Sequence, residues 1–171
     1  MTLDSHLVCR AALENEQSIC DLNESLAHEW LLAIRSRLLE KSRSLDVPVR
    51  ELATTISIAI LGHCSSVLIV VGDSPCVVYD GDKWIAPIWP MNGEYANQTY
   101  FVTQDPVPVW KFTHIANAIA KVAVFTDGID KLVLRNRGKE VFDPFFDVVF
   151  GGLEDSGGAY RNREYSKDLV D

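Results

Sequence analysis

Apolar and polar positions alternate along this chain in two distinct periods. Leu26, Trp30, Ile34 and Leu38 recur at four-residue steps, and Leu31 broadens the stripe. That period predicts an amphipathic helix over Asn23 to Ser44, capped by Asn23 or Ser25. A shorter helix is expected from Ser5 to Ile19, where Leu7, Val8, Ala11 and Ala12 share a face. Pro48 then breaks the helical pattern and the period falls to two. Ile56, Ile58 and Ile60 alternate with Ser57 and Ala59, as in a strand with unlike faces. Val67 to Val71 is apolar throughout and β-branched at four of five positions, as in a strand buried on both faces. Cys76 to Tyr79 is a third apolar run, and Asp80-Gly81 after it signals a hairpin leading to Trp84. The expected centre is therefore an antiparallel meander over Leu52 to Trp84, its second strand ending on Gly72-Asp73-Ser74.

Beyond the meander the signals are shorter. Pro87 and Pro90 reduce Trp84 to Pro90 to an edge strand or a loop, and Met91 to Asn97 is a turn-rich link. Tyr100 to Val102 is a short strand candidate. Val109 to Ile115 is expected as a strand with Trp110 and Phe112 inward. Lys121 to Phe125 is a compact apolar strand that ends in Thr126-Asp127-Gly128-Ile129. Leu132 to Leu134 suits a helical turn and Arg135 to Lys139 a polar turn. Asp143-Pro144 opens a helix through Phe150. Gly151 to Gly158 reads as a flexible acidic loop, and Tyr165 to Asp171 begins a last helix. Helices, then mostly antiparallel strands, then helices make an α+β pattern in one domain over residues 1–171.

Composition narrows the function. The 171 residues carry 16 basic and 24 acidic side chains, a net charge of -8. A nucleic-acid surface needs clustered Lys and Arg, so no nucleic-acid partner is expected. Arg35, Arg37, Lys41 and Arg43 crowd the end of the long helix, where they complement its dipole; a phosphate-attracting patch is the rarer reading. Cys9, Cys20, Cys64 and Cys76 have no Cys-x-x-Cys spacing, so reduced core thiols are expected and zinc is not. No apolar run is long enough to span a membrane and no signal peptide is visible, so a cytoplasmic protein is expected. His63 beside Cys64 reads as a loop residue. Ser65 and Ser66 lack a nucleophile-elbow frame, and Gly151 to Gly158 lacks the lysine of a phosphate loop.

Two acidic turns remain. Singly, Gly72-Asp73-Ser74 and Thr126-Asp127-Gly128 are ordinary turn chemistry, because an aspartate side chain bonds the backbone two residues on. In order, however, the chain offers Ala53-Thr54-Thr55, Val70-Val71-Gly72-Asp73-Ser74, a Tyr79-to-Trp84 hairpin, Gly93-Glu94-Tyr95-Ala96-Asn97-Gln98-Thr99, and Phe125-Thr126-Asp127-Gly128-Ile129. This series resembles the PP2C-type metal-dependent serine/threonine protein phosphatases, particularly their compact bacterial branch, over roughly Leu7 to Gly128.

The resemblance implies an α-β-β-α sandwich of two antiparallel sheets flanked by helices, with two Mg2+ or Mn2+ ions at one end. Hard cations of this kind take oxygen ligands. Phosphoserine or phosphothreonine of a phosphoprotein substrate would be hydrolysed by a metal-activated water, with no protein nucleophile. Asp127 matches a metal-binding aspartate of the family and Asp73 a position near the metals; Thr54, Thr55 and Ser74 look architectural. The family's opening strand with its Asp-Gly motif and its closing strand with a further aspartate are both missing. An incomplete domain is therefore expected, with exposed strand edges that invite self-association. The alternatives are a catalytically inactive phosphatase-like binding or regulatory module, and an unrelated α+β domain whose aspartates only cap turns.

Overall fold

The computed structural model describes residues 19–91, 99–105, 109–135 and 138–151. The helix expected over Ser5 to Ile19, Cys9, the Asn92-to-Asn97 part of the link, Pro106 and Pro108, and the expected last helix lie outside them, as does the acidic glycine loop beyond Gly151.

The first full element is α1, Glu24–Leu45. Asn23 caps it, its Oδ1 accepting from the Leu26 N–H at 3.1 Å. A cap of this type stabilises a helix by about 1 kcal/mol. At the other end Asp46 takes a left-handed conformation, φ 53°, and its N–H and that of Val47 bond back to Arg43 and Ser42 carbonyls. Pro48 follows, and the helix cannot continue. The four-residue stripe is the buried face: Leu31 and Leu38 are buried, with Leu26, Trp30 and Ile34 packed beside them.

Among the described residues eight strands follow: β1 (Ile56–Leu61), β2 (Ser66–Val71), β3 (Cys76–Tyr79), β4 (Trp84–Ile88), β5 (Trp110–Ile115), β6 (Lys121–Val124), β7 (Leu134–Arg135) and β8 (Glu140–Val141). The helical turn α2 (Asp130–Val133) precedes β7, and α3 (Asp143–Gly151) follows β8. One sheet has the order β1-β2-β5, a second β4-β3-β6, and β7 and β8 form a small hairpin. All pairings are antiparallel.

The faces of β2 and β3 show how the layers stack. In β2 every residue is buried. Val67, Ile69 and Val71 point to the α1 side, while Leu68 and Val70 join Cys76, Val78 and Ile88 of the second sheet. In β3, Val77 points the other way, to Trp84, Val133 and Phe146 of α3. Successive strand residues face opposite sides, so the order is α1, first sheet, second sheet, α3. This is the expected α-β-β-α arrangement, and its central strands are the all-apolar ones.

Several expectations need correction. The meander is not continuous: β2 and β3 belong to different sheets, and Gly72 to Pro75 carries the chain from one to the other. Gly72 has φ +98°, and a Cβ there would meet the Thr55 side chain and lie 2.8 Å from the Tyr100 carbonyl oxygen. Only glycine fits this crossing. Tyr100 to Val102 is not a strand. The Val102 N–H bonds the Thr54 carbonyl, and a turn closes from Gln104 N–H to Phe101 O, so no ladder can form. Among the described residues the compact apolar strand ending before Asp127 lies at the edge of its sheet, with Val124 48% exposed. Of the cysteines in the described residues Cys76 is buried, but Cys20 and Cys64 are exposed. Leu134 and Arg135 begin a two-residue hairpin strand where a helical and a polar turn were expected.

The Asp80-Gly81 signal holds. Gly81 has φ +108°, and Asp80 Oδ1 accepts from the Asp82 and Lys83 N–H groups. Those backbone donors, led by Lys83, hold the Asp80 carboxyl below its ordinary range. Pro87 sits in β4 as expected, on an edge, beside a register shift between Cys76 and Val78. Among the described residues no helix is long and apolar enough to cross a membrane.

Candidate phosphatase site

The register of the second sheet decides where the two acidic turns lie. β3 pairs with β6 antiparallel, Cys76 opposite Val124. The Phe125 N–H extends the ladder by bonding the Pro75 carbonyl at 3.4 Å. Asp73 precedes Pro75 by two residues and Asp127 follows Phe125 by two. Both aspartates therefore leave the sheet at the same end. The first sheet contributes there too, since β2 ends beside the starts of β1 and β5, with Val71 opposite both Ile56 and Trp110.

The Asp73 turn is tightly held. The Thr99 hydroxyl donates to Asp73 Oδ2 at 2.6 Å, fixing the half-buried carboxylate. Thr55 and Ser74 hydroxyls meet at 3.0 Å, and the Ser57 hydroxyl donates to the Ser74 carbonyl at 3.0 Å. The Met91 N–H reaches the Gly72 carbonyl. Thr54 donates to the Thr55 carbonyl. These small hydroxyl residues brace the crossing between sheets, which is the architectural part expected of Thr54, Thr55 and Ser74. Thr99 stands at the end of the motif quoted above, but nothing local in the sequence marked it as the partner of Asp73, 26 residues earlier.

Asp127 is exposed and opens a short 3-10 turn, Asp127–Ile129, with Thr126 extended before it. Its carboxylate is available to a ligand from solution, whereas that of Asp73 is partly committed to Thr99. Oxygen donors of this sort suit a hard divalent cation in kind. They fall short in number: among the described residues no group of three or more His, Cys, Asp or Glu side chains converges. The described residues therefore do not by themselves make a metal cage. Cys76, just past the Asp73 turn, is no substitute. Burial pushes its thiol up to about 12, so it stays protonated at neutral pH and is a poor nucleophile.

Other candidates are accounted for otherwise. Arg35 pairs with Asp105 at 3.1 Å rather than presenting its charge to a phosphate. His28 stacks on Trp110, with ring centroids 5.8 Å apart and nearly parallel. His63 is exposed in the loop between β1 and β2.

The family model described as protein phosphatase 2C matches residues 3–171, and the chain belongs to that family. It is similar to serine/threonine-protein phosphatase 3 of Escherichia coli (strain K12), 36% identical over 133 residues. That alignment takes in 77% of this chain but 53% of the relative, so the chain spans about half the length of the curated relative it matches. No solved structure matches it.

Proposed function

We propose that this chain is part of a metal-dependent serine/threonine protein phosphatase that hydrolyses phosphoserine and phosphothreonine of phosphoprotein substrates. The observation that carries the reading is the β3–β6 register, by which the Asp73 and Asp127 turns leave the sheet at one end. Family membership supports it, as does its similarity to a serine/threonine-protein phosphatase of Escherichia coli. Asp127 is assigned as a ligand for Mg2+ or Mn2+, with Asp73 secondary and held in one orientation by Thr99. A divalent cation held there would supply Lewis acidity toward phosphoryl oxygens and would lower the pKa of a bound water. Remaining ligands come from residues beyond the described ones or from the longer protein.

The test uses that longer protein, purified free of metal. Hydrolysis of a phosphothreonine peptide should appear on adding Mn2+ and disappear with a chelator. Metal-independent hydrolysis, or none at any Mn2+ concentration, would overturn the reading.

A second reading has one observation in its favour. The scarcity of convergent ligands among the described residues suits an inactive phosphatase-like module that holds a partner. An upstream strand ending in Asp-Gly, or a downstream strand delivering another aspartate, would remove that support.

The strand edges add a further expectation. Among the described residues β1 and β5 flank β2, and β4 and β6 flank β3, with Leu61 and Val124 exposed on outer strands. Strand edges left unpaired favour pairing between copies. Size-exclusion chromatography of this chain should show self-association that grows with concentration; a monomer at all concentrations would contradict it.

A further inference from the structure

A cleft of about 450 Å3 lies beside the Asp73 turn, within the usual size range of ligand clefts. Trp89 and Met91, just after β4, form one wall, and Val109 and Lys111 of the β5 segment form another. Tyr100 closes it on the side of Gly72, and Lys139 reaches in from the β7–β8 turn. Two links tie it to the candidate site. The Met91 N–H bonds the Gly72 carbonyl, and Tyr100 follows Thr99, which holds Asp73.

The cleft brings two lysines, from a strand and from a distant hairpin turn, to one lining. Several cations elsewhere are engaged: Arg35 pairs with Asp105, Lys121 lies over Tyr79 and Phe150, and Arg135 lies over Phe142. Lys111 and Lys139 are exposed, and neither has an ion-pair or ring partner among the described residues. The nearest acid in sequence, Glu140, folds back over Gly138 and does not line the cleft. On a chain of net charge -8, two ammonium groups with no ion-pair partner among the described residues, set on an aromatic and aliphatic lining, form a local attractive spot for an anion.

We infer that this cleft binds the acidic residues flanking the phosphorylated residue of a substrate peptide, with Lys111 and Lys139 taking the carboxylates. The inference rests on the phosphatase reading for the identity of the peptide, but not for the binding itself. Lysine is a flexible point charge and suits carboxylates at variable spacing. The apolar wall of Trp89, Met91 and Val109 takes the intervening aliphatic or aromatic side chain. The phosphorylated residue then lies toward Asp73 and Asp127, so specificity and chemistry occupy neighbouring parts of one end of the sandwich.

The experiment is fluorescence anisotropy with this chain, without divalent metal and at low ionic strength, where exposed charges are least screened. Three labelled phosphothreonine peptides differ only in their flanks: glutamate, glutamine or lysine. The glutamate peptide should bind roughly tenfold tighter than the glutamine one, as two exposed ion pairs allow. Lys111→Glu with Lys139→Glu should invert the order in favour of the lysine peptide, and Lys111→Arg with Lys139→Arg should keep the glutamate preference. Equal binding of the glutamate and glutamine peptides, or a preference that survives the charge reversal, would overturn the inference. Hydrolysis of p-nitrophenyl phosphate by the longer protein with Mn2+ is read separately. That substrate has no flanks, so its failure counts against the phosphatase reading and leaves the cleft standing.

Discussion

Asp127→Asn should lower Mn2+-dependent phosphopeptide hydrolysis by the longer protein at least about 100-fold. Loss of a supporting group around a metal already costs 10–100-fold, and a direct ligand should cost no less. Asparagine is nearly the same size and is equally at home in a turn, so the 3-10 turn Asp127–Ile129 should persist. Asp127 is exposed and makes no core contact, so the change in stability should stay within about 0.5 kcal/mol. Urea unfolding of the same variant separates lost chemistry from lost fold. Asp73→Asn should cost less, because Thr99 engages one oxygen and the residue is assigned a secondary role. Unchanged activity in Asp127→Asn would remove this residue from the site.

The largest stability effect is expected at Phe146. It is 1% exposed, stacks on Trp84 at 4.8 Å, and meets Phe145 edge-on at 5.2 Å. Phe125 lies 5.9 Å away, and Phe125 leads directly into Thr126-Asp127. Phe146→Ala should destabilise by about 3–5 kcal/mol, measured as a fall in the urea midpoint. That is a large share of the roughly 5–15 kcal/mol typical of a folded domain. Val148 on the same helix is 75% exposed, so Val148→Ala should change little. A cost at Phe146 no larger than at Val148 would mean that α3 does not pack on the second sheet.

What could be read from the chain, and what could not, divides by the range of the interaction. The cap at Asn23, the stripe of α1, the Asp80-Gly81 turn and the all-apolar β2 are local patterns. The structure repeats them nearly residue for residue. The partition of strands between sheets is not local. Val67–Val71 and Cys76–Tyr79 look alike in sequence, and only Gly72 and Pro75 between them hint that the chain leaves one sheet for another. Tyr100 to Val102 carries strand-forming residues, yet the Val102 N–H donates to the Thr54 carbonyl and the Phe101 carbonyl accepts from the Gln104 N–H. Tertiary hydrogen bonds overrode propensity there.

The candidate site was partly visible for the same reason. Each aspartate could be found at a strand end, but their leaving the sheet at the same end depends on β3 pairing with β6, and β4 and β5 lie between those two strands in sequence. Thr99 was missed as the group that orients Asp73. Lys111 and Lys139 were missed because nothing along the chain relates a strand residue to a distant hairpin turn; the cleft between them exists only once both sheets are assembled.

A shared cation site at the two turns is open to direct measurement. Mn2+ titrated into the isotope-labelled protein, extended by its flanking sequence, should broaden the amide signals of Asp73 and Asp127 together in the nuclear magnetic resonance spectrum, and Asp127→Asn should weaken the effect at both. Broadening of one turn without the other, or at neither, would contradict a shared cation site.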